Sequence, residues 1–201
     1  SFPTRRSSDL ASRAGLEPDH AHLLEQVPET PLPPMLSMEL PVLPPDPVRD
    51  DFENPDDIQA ARARRLQGAG DPIVLEISDD TAAGGRRSLK FVDGPEAAKP
   101  FYPYVHYVPS FARGRATVSL ALHVDAATLL YIEGRDGASS RYKAGPRMSI
   151  DTNQRLRAAD QVVATVPIGE WFRITLVFPL GDEADGTFEM TLDIPGEAPV
   201  T

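Results

Sequence analysis

The chain has 201 residues, 41% of them hydrophobic, which is enough to bury the core of one ordinary domain and carry an appendage. Its formal net charge of −10 argues against nucleic acid or an anionic membrane as partner, because both bind clustered lysine and arginine. The absence of cysteine excludes disulfides, thiolate zinc sites and cysteine nucleophiles, and no apolar run approaches the roughly 20 residues of a membrane-inserted helix.

The first ten residues, SFPTRRSSDL, do not resemble a natural protein segment. They resemble the translated end of a common short-read sequencing adapter, so we expect residues 1–10 to be an adapter-derived artefact. Ser1 is then not a natural start, and a signal peptide would not be visible in this chain. The fold is therefore predicted from residue 11 onward.

Proline dominates the next segment, residues 11–47. Eleven of the 21 prolines lie between Pro3 and Pro55, and proline removes an amide donor and fixes φ. The stretch 28–47 therefore predicts an extended, polyproline-like linker. With a short helix expected at 21–26, we interpret residues 11–47 as the tail of an upstream region followed by this linker.

Short runs of alternating apolar and polar residues begin after the linker and predict strands that bury one face. The clearest runs are 115–124, 171–178 and 187–194. Shorter strands are predicted at 73–77, 89–92, 128–133, 148–150, 155–157 and 162–166. Helical periodicity is confined to 58–67, and crossover helices for a parallel sheet are lacking.

This pattern of many short strands predicts an all-β protein, an antiparallel β-sandwich or jelly roll. The alternation places every second side chain between two stacked sheets. Leu120, Ile174 and Leu192 are the residues on which that prediction depends most directly.

Four motifs in this order resemble a known fold family. Residues 50–53 (DDFE) precede 77–91 (ISDDTAAGGRRSLKF), and 166–172 (VPIGEWF) and 180–182 (LGD) come before a last strand. The pattern is similar to the concanavalin A-like lectin/glucanase (LamG-like) jelly roll, a module appended to large secreted bacterial proteins of polysaccharide metabolism. The resemblance implies a β-sandwich domain over 48–201 without its closing strands, in a protein that is secreted, periplasmic or on the cell surface.

Two segments carry side chains suited to a polysaccharide. If 101–107 (FYPYVHY) is extended, Tyr102, Tyr104 and His106 share one face, while Phe101 lies on the other. Sugar rings stack on exposed aromatic rings and charged groups bind their hydroxyls. The predicted ligand-binding residues are Tyr104, His106, Tyr131, Glu133, Arg135 and Arg141.

Tyr131, Glu133 and Arg135 alternate on a second predicted strand, and Arg141 follows shortly after. We expect them to line the same concave sheet as the aromatic segment. The alternative is that the tyrosines belong to the core and that Glu133 pairs with Arg135 across strands.

Three functions remain open. The first is a non-catalytic module, carbohydrate-binding or structural. The second is a polysaccharide lyase or glycoside hydrolase on the same fold, which would require Glu133, His106 and Tyr131 to converge. The chain lacks the Glu-x-Asp-x-Glu-like cluster of glycosidases with this fold, and residues 141–145 (RYKAG) only loosely resemble an alginate-lyase strand. The third is a protein-interaction spacer.

No cofactor or metal site is predicted. The histidines show no metal-ligand spacing with carboxylates. The resemblance makes a structural calcium ion conceivable, but no Asp-rich loop supports one. The expected partners are a polysaccharide and other domains of the same parent chain, and the single Trp171 is interpreted as structural.

Overall fold

A computed structural model describes residues 44–54, 56, 65–67, 73–95, 97, 99–137 and 143–201. The chain divides between Pro41 and Val42 into two units, and all described residues belong to the second, Val42–Thr201. The predicted adapter segment, the helix at 21–26 and most of the linker lie outside the described residues. Residues 44–47 have no regular secondary structure.

The described part of the chain is built from β-strands. They are β1 (Arg65–Gln67), β2 (Val74–Ser78), β3 (Ser88–Val92), β4 (Tyr104–His106), β5 (Gly114–His123), β6 (Leu130–Arg135), β7 (Ala144–Ile150), β8 (Arg155–Ala158), β9 (Gln161–Thr165), β10 (Trp171–Leu180) and β11 (Glu189–Asp193). Each pairing between them is antiparallel. The prediction of an all-β, antiparallel fold is confirmed, and the only helical element among the described residues is one 3-10 turn, Gly181–Glu183.

Two sheets enclose one hydrophobic core. One has the strand order β6-β7-β8-β9 and the other β11-β10-β5, while β2-β3 and β1-β4 form separate pairs. The core combines alternate residues of both sheets with flanking apolar residues: Val124, Met148, Ile150, Leu156, Val166, Phe172, Ile174, Leu176, Leu192 and Ile194. The arrangement is that of a β-sandwich, in which inward and outward side chains alternate along each strand.

Alternation predicts burial best in the central strand of the smaller sheet. On β10, Ile174 is 1% exposed, and Leu192 on its neighbour β11 is equally buried. On β5, Leu120 pairs with Ile174 but is only half-buried, and Val118 is 37% exposed. Both β5 and β11 are edge strands, but Val200 bridges to Leu192 on the outer side of β11, whereas no described strand pairs with the outer side of β5.

The prediction of a helix over 58–67 is wrong at the C-terminal end of that range. Residues Arg65–Gln67 form strand β1 and pair with Tyr104–His106, and positions 57–64 lie outside the described residues. In β1 the backbone N–H and C=O groups form hydrogen bonds with a distant strand, whereas in a helix they would bond within the segment. The tertiary structure therefore overrides the local helical pattern.

Three motifs that carry the family resemblance meet in space. The Glu53 carboxylate accepts the backbone N–H groups of Arg86 and Arg87 at 2.7 and 2.9 Å. The Trp171 indole N–H donates to the Thr81 hydroxyl at 2.9 Å. These bonds join the segment before the sandwich, the loop between β2 and β3, and the start of β10, so this cluster stabilises the fold.

Candidate functional site

The outer face of the four-stranded sheet is polar on β6, β7 and β8, whereas on β9 the exposed Val162 lies opposite Arg157. Its opposite side is buried, with Met148 and Ile150 on β7 and Leu156 on β8 in the core. Alternation then points the intervening side chains away from the core. We call this outer set the arginine face and define it as Tyr131, Glu133, Arg135, Arg147, Ser149, Asp151, Arg155 and Arg157.

Glu133 organises one end of the arginine face. Its Oε2 accepts hydrogen bonds from Nε and one terminal nitrogen of Arg135, at 3.1 and 2.9 Å. Its Oε1 lies 3.9 Å from Nε of Arg147, which stands opposite it on β7. The carboxylate therefore lies between two guanidiniums, one held closely and one loosely.

Asp151 organises the other end, in the turn from β7 to β8. One carboxylate oxygen accepts the backbone N–H groups of Asn153 and Arg155 at 2.9 and 3.1 Å. The other accepts Nε of Arg155 at 2.8 Å and lies 3.5 Å from Nε of Arg157. Burial raises the pKa of Asp151, but the hydrogen bonds from Arg155 and Asn153 outweigh it, so the pKa lies below its ordinary value.

Ser149 lies at the centre, between these two ends. Its register partners are Tyr131 on β6 and Arg157 on β8. Arg147 lies two residues before it on β7 and is therefore a diagonal neighbour of Arg157, at about 7–8 Å between Cα atoms. The side chains of Tyr131, Ser149, Arg147 and Arg157 therefore leave this face of the sheet from neighbouring backbone positions.

The accessible part of this face is cationic. Side-chain exposure is 18% for Glu133 and 20% for Asp151, whereas it ranges from 34% to 65% for the four arginines. Tyr131 is 52% exposed. The two carboxylates are largely covered while the guanidiniums and the phenol ring meet solvent, so this surface differs in sign from the chain's net charge of −10.

Aromatic rings form a row along β4 and the turn before it. Tyr102 and Tyr104 stack with centroids 5.9 Å apart, and Tyr104 and His106 stack at 6.0 Å. This confirms that the three rings share a face. Phe101 also contacts this row, edge-on to Tyr102 and Tyr104, which corrects its predicted place on the opposite face, because the strand begins only at Tyr104 and alternation does not extend back to residue 101.

The structure divides the predicted ligand-binding residues. Tyr131, Glu133 and Arg135 lie together on β6, whereas Tyr104 and His106 lie on β4, which pairs with β1. The prediction of one shared sheet is therefore wrong. Arg141 lies outside the described residues, so its place in the site stays a prediction.

The predicted alternative for Glu133 and Arg135 is correct in its partners and wrong in its geometry. The two side chains pair, but within β6 rather than across strands. A bulge between them shifts the register, and a bulge re-aims side chains that strict alternation would space evenly. The cross-strand partner of Glu133 is Arg147.

Sequence reasoning missed Arg147, Ser149, Arg155 and Arg157. Their signal was present, because 147–150 reads Arg-Met-Ser-Ile and 155–158 reads Arg-Leu-Arg-Ala, each alternating polar and apolar. Strands were predicted at 148–150 and 155–157, but the sequence did not show that the outward residues of these strands lie on the same face as Tyr131.

Glu133 and Asp151 lie near opposite ends of the arginine face. The Cα of Asp151 is about 13 Å along nearly extended chain from the Cα of Arg147, the partner of Glu133. Each of the two carboxylates is paired with an arginine. A catalytic version would require His106 to converge with Tyr131 and Glu133, but β4 and β6 belong to different sheets.

A cavity of about 380 Å³ is lined by residues that do not belong to the arginine face. Its lining includes Val163, Phe188, Met190 and Val200, and none of its lining side chains is ionisable. Among the described residues, no group of three or more His, Asp or Glu side chains could hold a metal ion, and no helix has the length and apolar character needed to cross a membrane.

Comparison with known proteins identified no relative of this chain. No family model, curated protein or solved structure matches the chain.

Proposed function

We propose that this protein contains a non-catalytic β-sandwich module that binds carbohydrate through the arginine face. The observation that carries the proposal is the exposed ring of Tyr131 opposite Ser149, with Arg147 and Arg157 at neighbouring positions of β7 and β8. An aromatic face packs against the C–H surface of a sugar, while hydroxyl and guanidinium groups bind its oxygens.

The salt bridges support binding by fixing the two ends of the arginine face. Glu133 and Asp151 hold Arg135 and Arg155 through hydrogen bonds of 2.8–3.1 Å. Both carboxylates are therefore already paired within the sheet, which leaves Arg147 and Arg157 as the arginines that a ligand can engage.

The aromatic row supports glycan binding less directly. Its three stacked rings follow one another at about 6 Å, so Tyr104 turns both of its faces towards neighbouring rings. Sugar stacking needs an open ring face. Tyr131 is more than half exposed, and it is the aromatic residue on which we base the site.

The family resemblance gives the proposal its context. A LamG-like jelly roll with a polar outer sheet suits a module appended to a larger secreted protein that acts on polysaccharides. The pairing of Glu133 and Asp151 with arginines favours binding over lyase or hydrolase chemistry.

The test is affinity electrophoresis of the full chain through gels that contain single polysaccharides. We expect retardation by at least one glycan and its loss in Tyr131→Ala. The matched control is Phe111→Ala, which removes another partly exposed ring from outside the sheet. Retardation by no glycan, or retardation that Tyr131→Ala leaves unchanged, would contradict the proposal.

A further inference from the structure

We infer that the arginine face selects acidic polysaccharides, with Arg147 and Arg157 binding carboxylate or sulfate groups on the glycan. This inference rests on the proposed carbohydrate-binding function and names its ligand class. It follows from how differently the four arginines are held.

Two of the arginines are committed to partners within the sheet. Arg135 donates twice to Glu133 at 2.9 and 3.1 Å, and Arg155 donates to Asp151 at 2.8 Å. These are distances at which a charge-assisted hydrogen bond is strong. Both guanidiniums already have their carboxylate, and their role is to hold the two ends of the face.

The other two arginines are held only loosely. Nε of Arg147 lies 3.9 Å from Glu133, and Nε of Arg157 lies 3.5 Å from Asp151. A terminal nitrogen of Arg157 reaches the Asp160 carbonyl at 3.4 Å. Such distances are too long for strong hydrogen bonds, so an external oxyanion can improve on the contacts these guanidiniums make.

Their position suits one ligand chain. Arg157 lies directly across from Ser149, and Arg147 is its diagonal neighbour on β7. Tyr131 lies across from Ser149 on the other side. A glycan crossing β6, β7 and β8 would meet an aromatic ring, a hydroxyl and then two cations within three adjacent strands.

Charge favours an acidic ligand over a neutral one. A neutral hydroxyl replaces the water at a guanidinium with a similar uncharged acceptor, whereas a carboxylate or sulfate forms a charge-assisted hydrogen bond. The planar guanidinium fork also binds two oxygens of one oxyanion. Because the carboxylates of this face are largely covered, an acidic glycan meets mainly guanidiniums despite the chain's net negative charge.

The experiment measures the dissociation constants of the full chain for three kinds of glycan. Polygalacturonate supplies carboxylates, dextran sulfate supplies sulfates, and dextran and laminarin are neutral. The variants are Arg147→Gln, Arg157→Gln and the double substitution. The control, Arg115→Gln, removes one exposed, ion-paired arginine from the other sheet.

We expect at least one acidic glycan to bind more tightly than both neutral ones. Each face substitution should weaken that binding about tenfold or more, as expected for a hydrogen bond between charged groups, and the control about twofold or less. Tighter binding of polygalacturonate would identify a carboxylate as the preferred oxyanion, and tighter binding of dextran sulfate would identify a sulfate. Either result supports the inference.

Three outcomes would overturn it. Tyr131-dependent binding of neutral glycans without preference for acidic ones would refute the selectivity and leave the proposed function standing. If Arg115→Gln weakened glycan binding as much as the face substitutions do, the glycan would be attracted to positive charge anywhere on the surface and not to this face. Absence of binding to every glycan would remove both proposals, and circular dichroism of each variant distinguishes lost binding from lost folding.

Discussion

Glu53 and Arg87, 34 residues apart, bind each other through two hydrogen bonds. The Arg87 backbone N–H donates to the Glu53 carboxylate at 2.9 Å, and its guanidinium donates to the Glu53 carbonyl oxygen at 3.0 Å. The same carboxylate accepts the Arg86 N–H. One acidic side chain thereby joins the segment before the sandwich to the loop that leads into β3.

Glu53→Gln is expected to lower the stability of the protein near neutral pH. The backbone N–H groups of Arg86 and Arg87 lower the pKa of Glu53 below its ordinary value of 4.5, because they favour the charged carboxylate. Since the folded pKa is depressed, this stabilisation is present above pH 4.5 and is lost as the pH falls through the folded pKa.

Thermal unfolding at several pH values checks this prediction. The melting temperature of Glu53→Gln should lie below that of the native chain at pH 7, and the gap should narrow in acid. The control is Glu189→Gln, which removes an exposed carboxylate paired with Arg115; it should change stability by no more than about 1 kcal/mol. A gap for Glu53→Gln that does not depend on pH would contradict the assignment.

Gly85→Ala should destabilise the loop that receives Glu53. Gly85 has a φ of +72°, and an added Cβ would overlap the Glu53 carboxylate. The left-handed conformation alone costs a residue with a Cβ about 1–2 kcal/mol. Denaturant unfolding should show at least that loss in the free energy of unfolding.

The adjacent glycine provides the control for that substitution. A Cβ on Gly84 would meet no heavy atom within 4 Å. Gly84→Ala should therefore be neutral or slightly stabilising, since it restricts the unfolded chain. Equal losses from the two substitutions would show that the Glu53 contact is not responsible.

Ile174→Ala should test the packing of the two sheets. Ile174 is 1% exposed and lies on the central strand of its sheet. Removing a buried isoleucine side chain to alanine costs about 2–5 kcal/mol. Val118→Ala on the edge strand β5, where the side chain is 37% exposed, should cost less than about 1 kcal/mol. Similar losses at the two positions would contradict the sandwich core.

Asp151→Ala should loosen the turn between β7 and β8. Asp151 accepts two backbone N–H groups and the Arg155 side chain, and Asp151→Asn keeps an oxygen that can accept the backbone bonds. Amide hydrogen exchange at Asn153 and Arg155 should therefore rise most in Asp151→Ala and less in Asp151→Asn. Unchanged exchange in the alanine variant would show that the backbone bonds do not hold the turn.

Local pattern was sufficient to predict most of the strands, but it assigned the residues of β1 to a helix. Alternation over 171–178 and 187–194 predicted β10 and β11 with Ile174 and Leu192 inward, because period-two geometry follows from the pleated backbone alone. The same rule marked Tyr131 and Glu133 as neighbours on one face. It did not extend to Phe101, which precedes the strand, and it did not predict that Arg135 pairs with Glu133 within β6, where a bulge lies between them.

Pairing between strands was decided only by the tertiary structure. Residues 65–67 joined β4 instead of a helix, and Tyr104 and His106 went to a different sheet from Tyr131. Register placed Arg157 opposite Ser149 and next to Arg147, a proximity that composition and spacing do not encode. The physical reason is that alternation depends on neighbouring residues of one strand, whereas register depends on burying the apolar faces of several strands together.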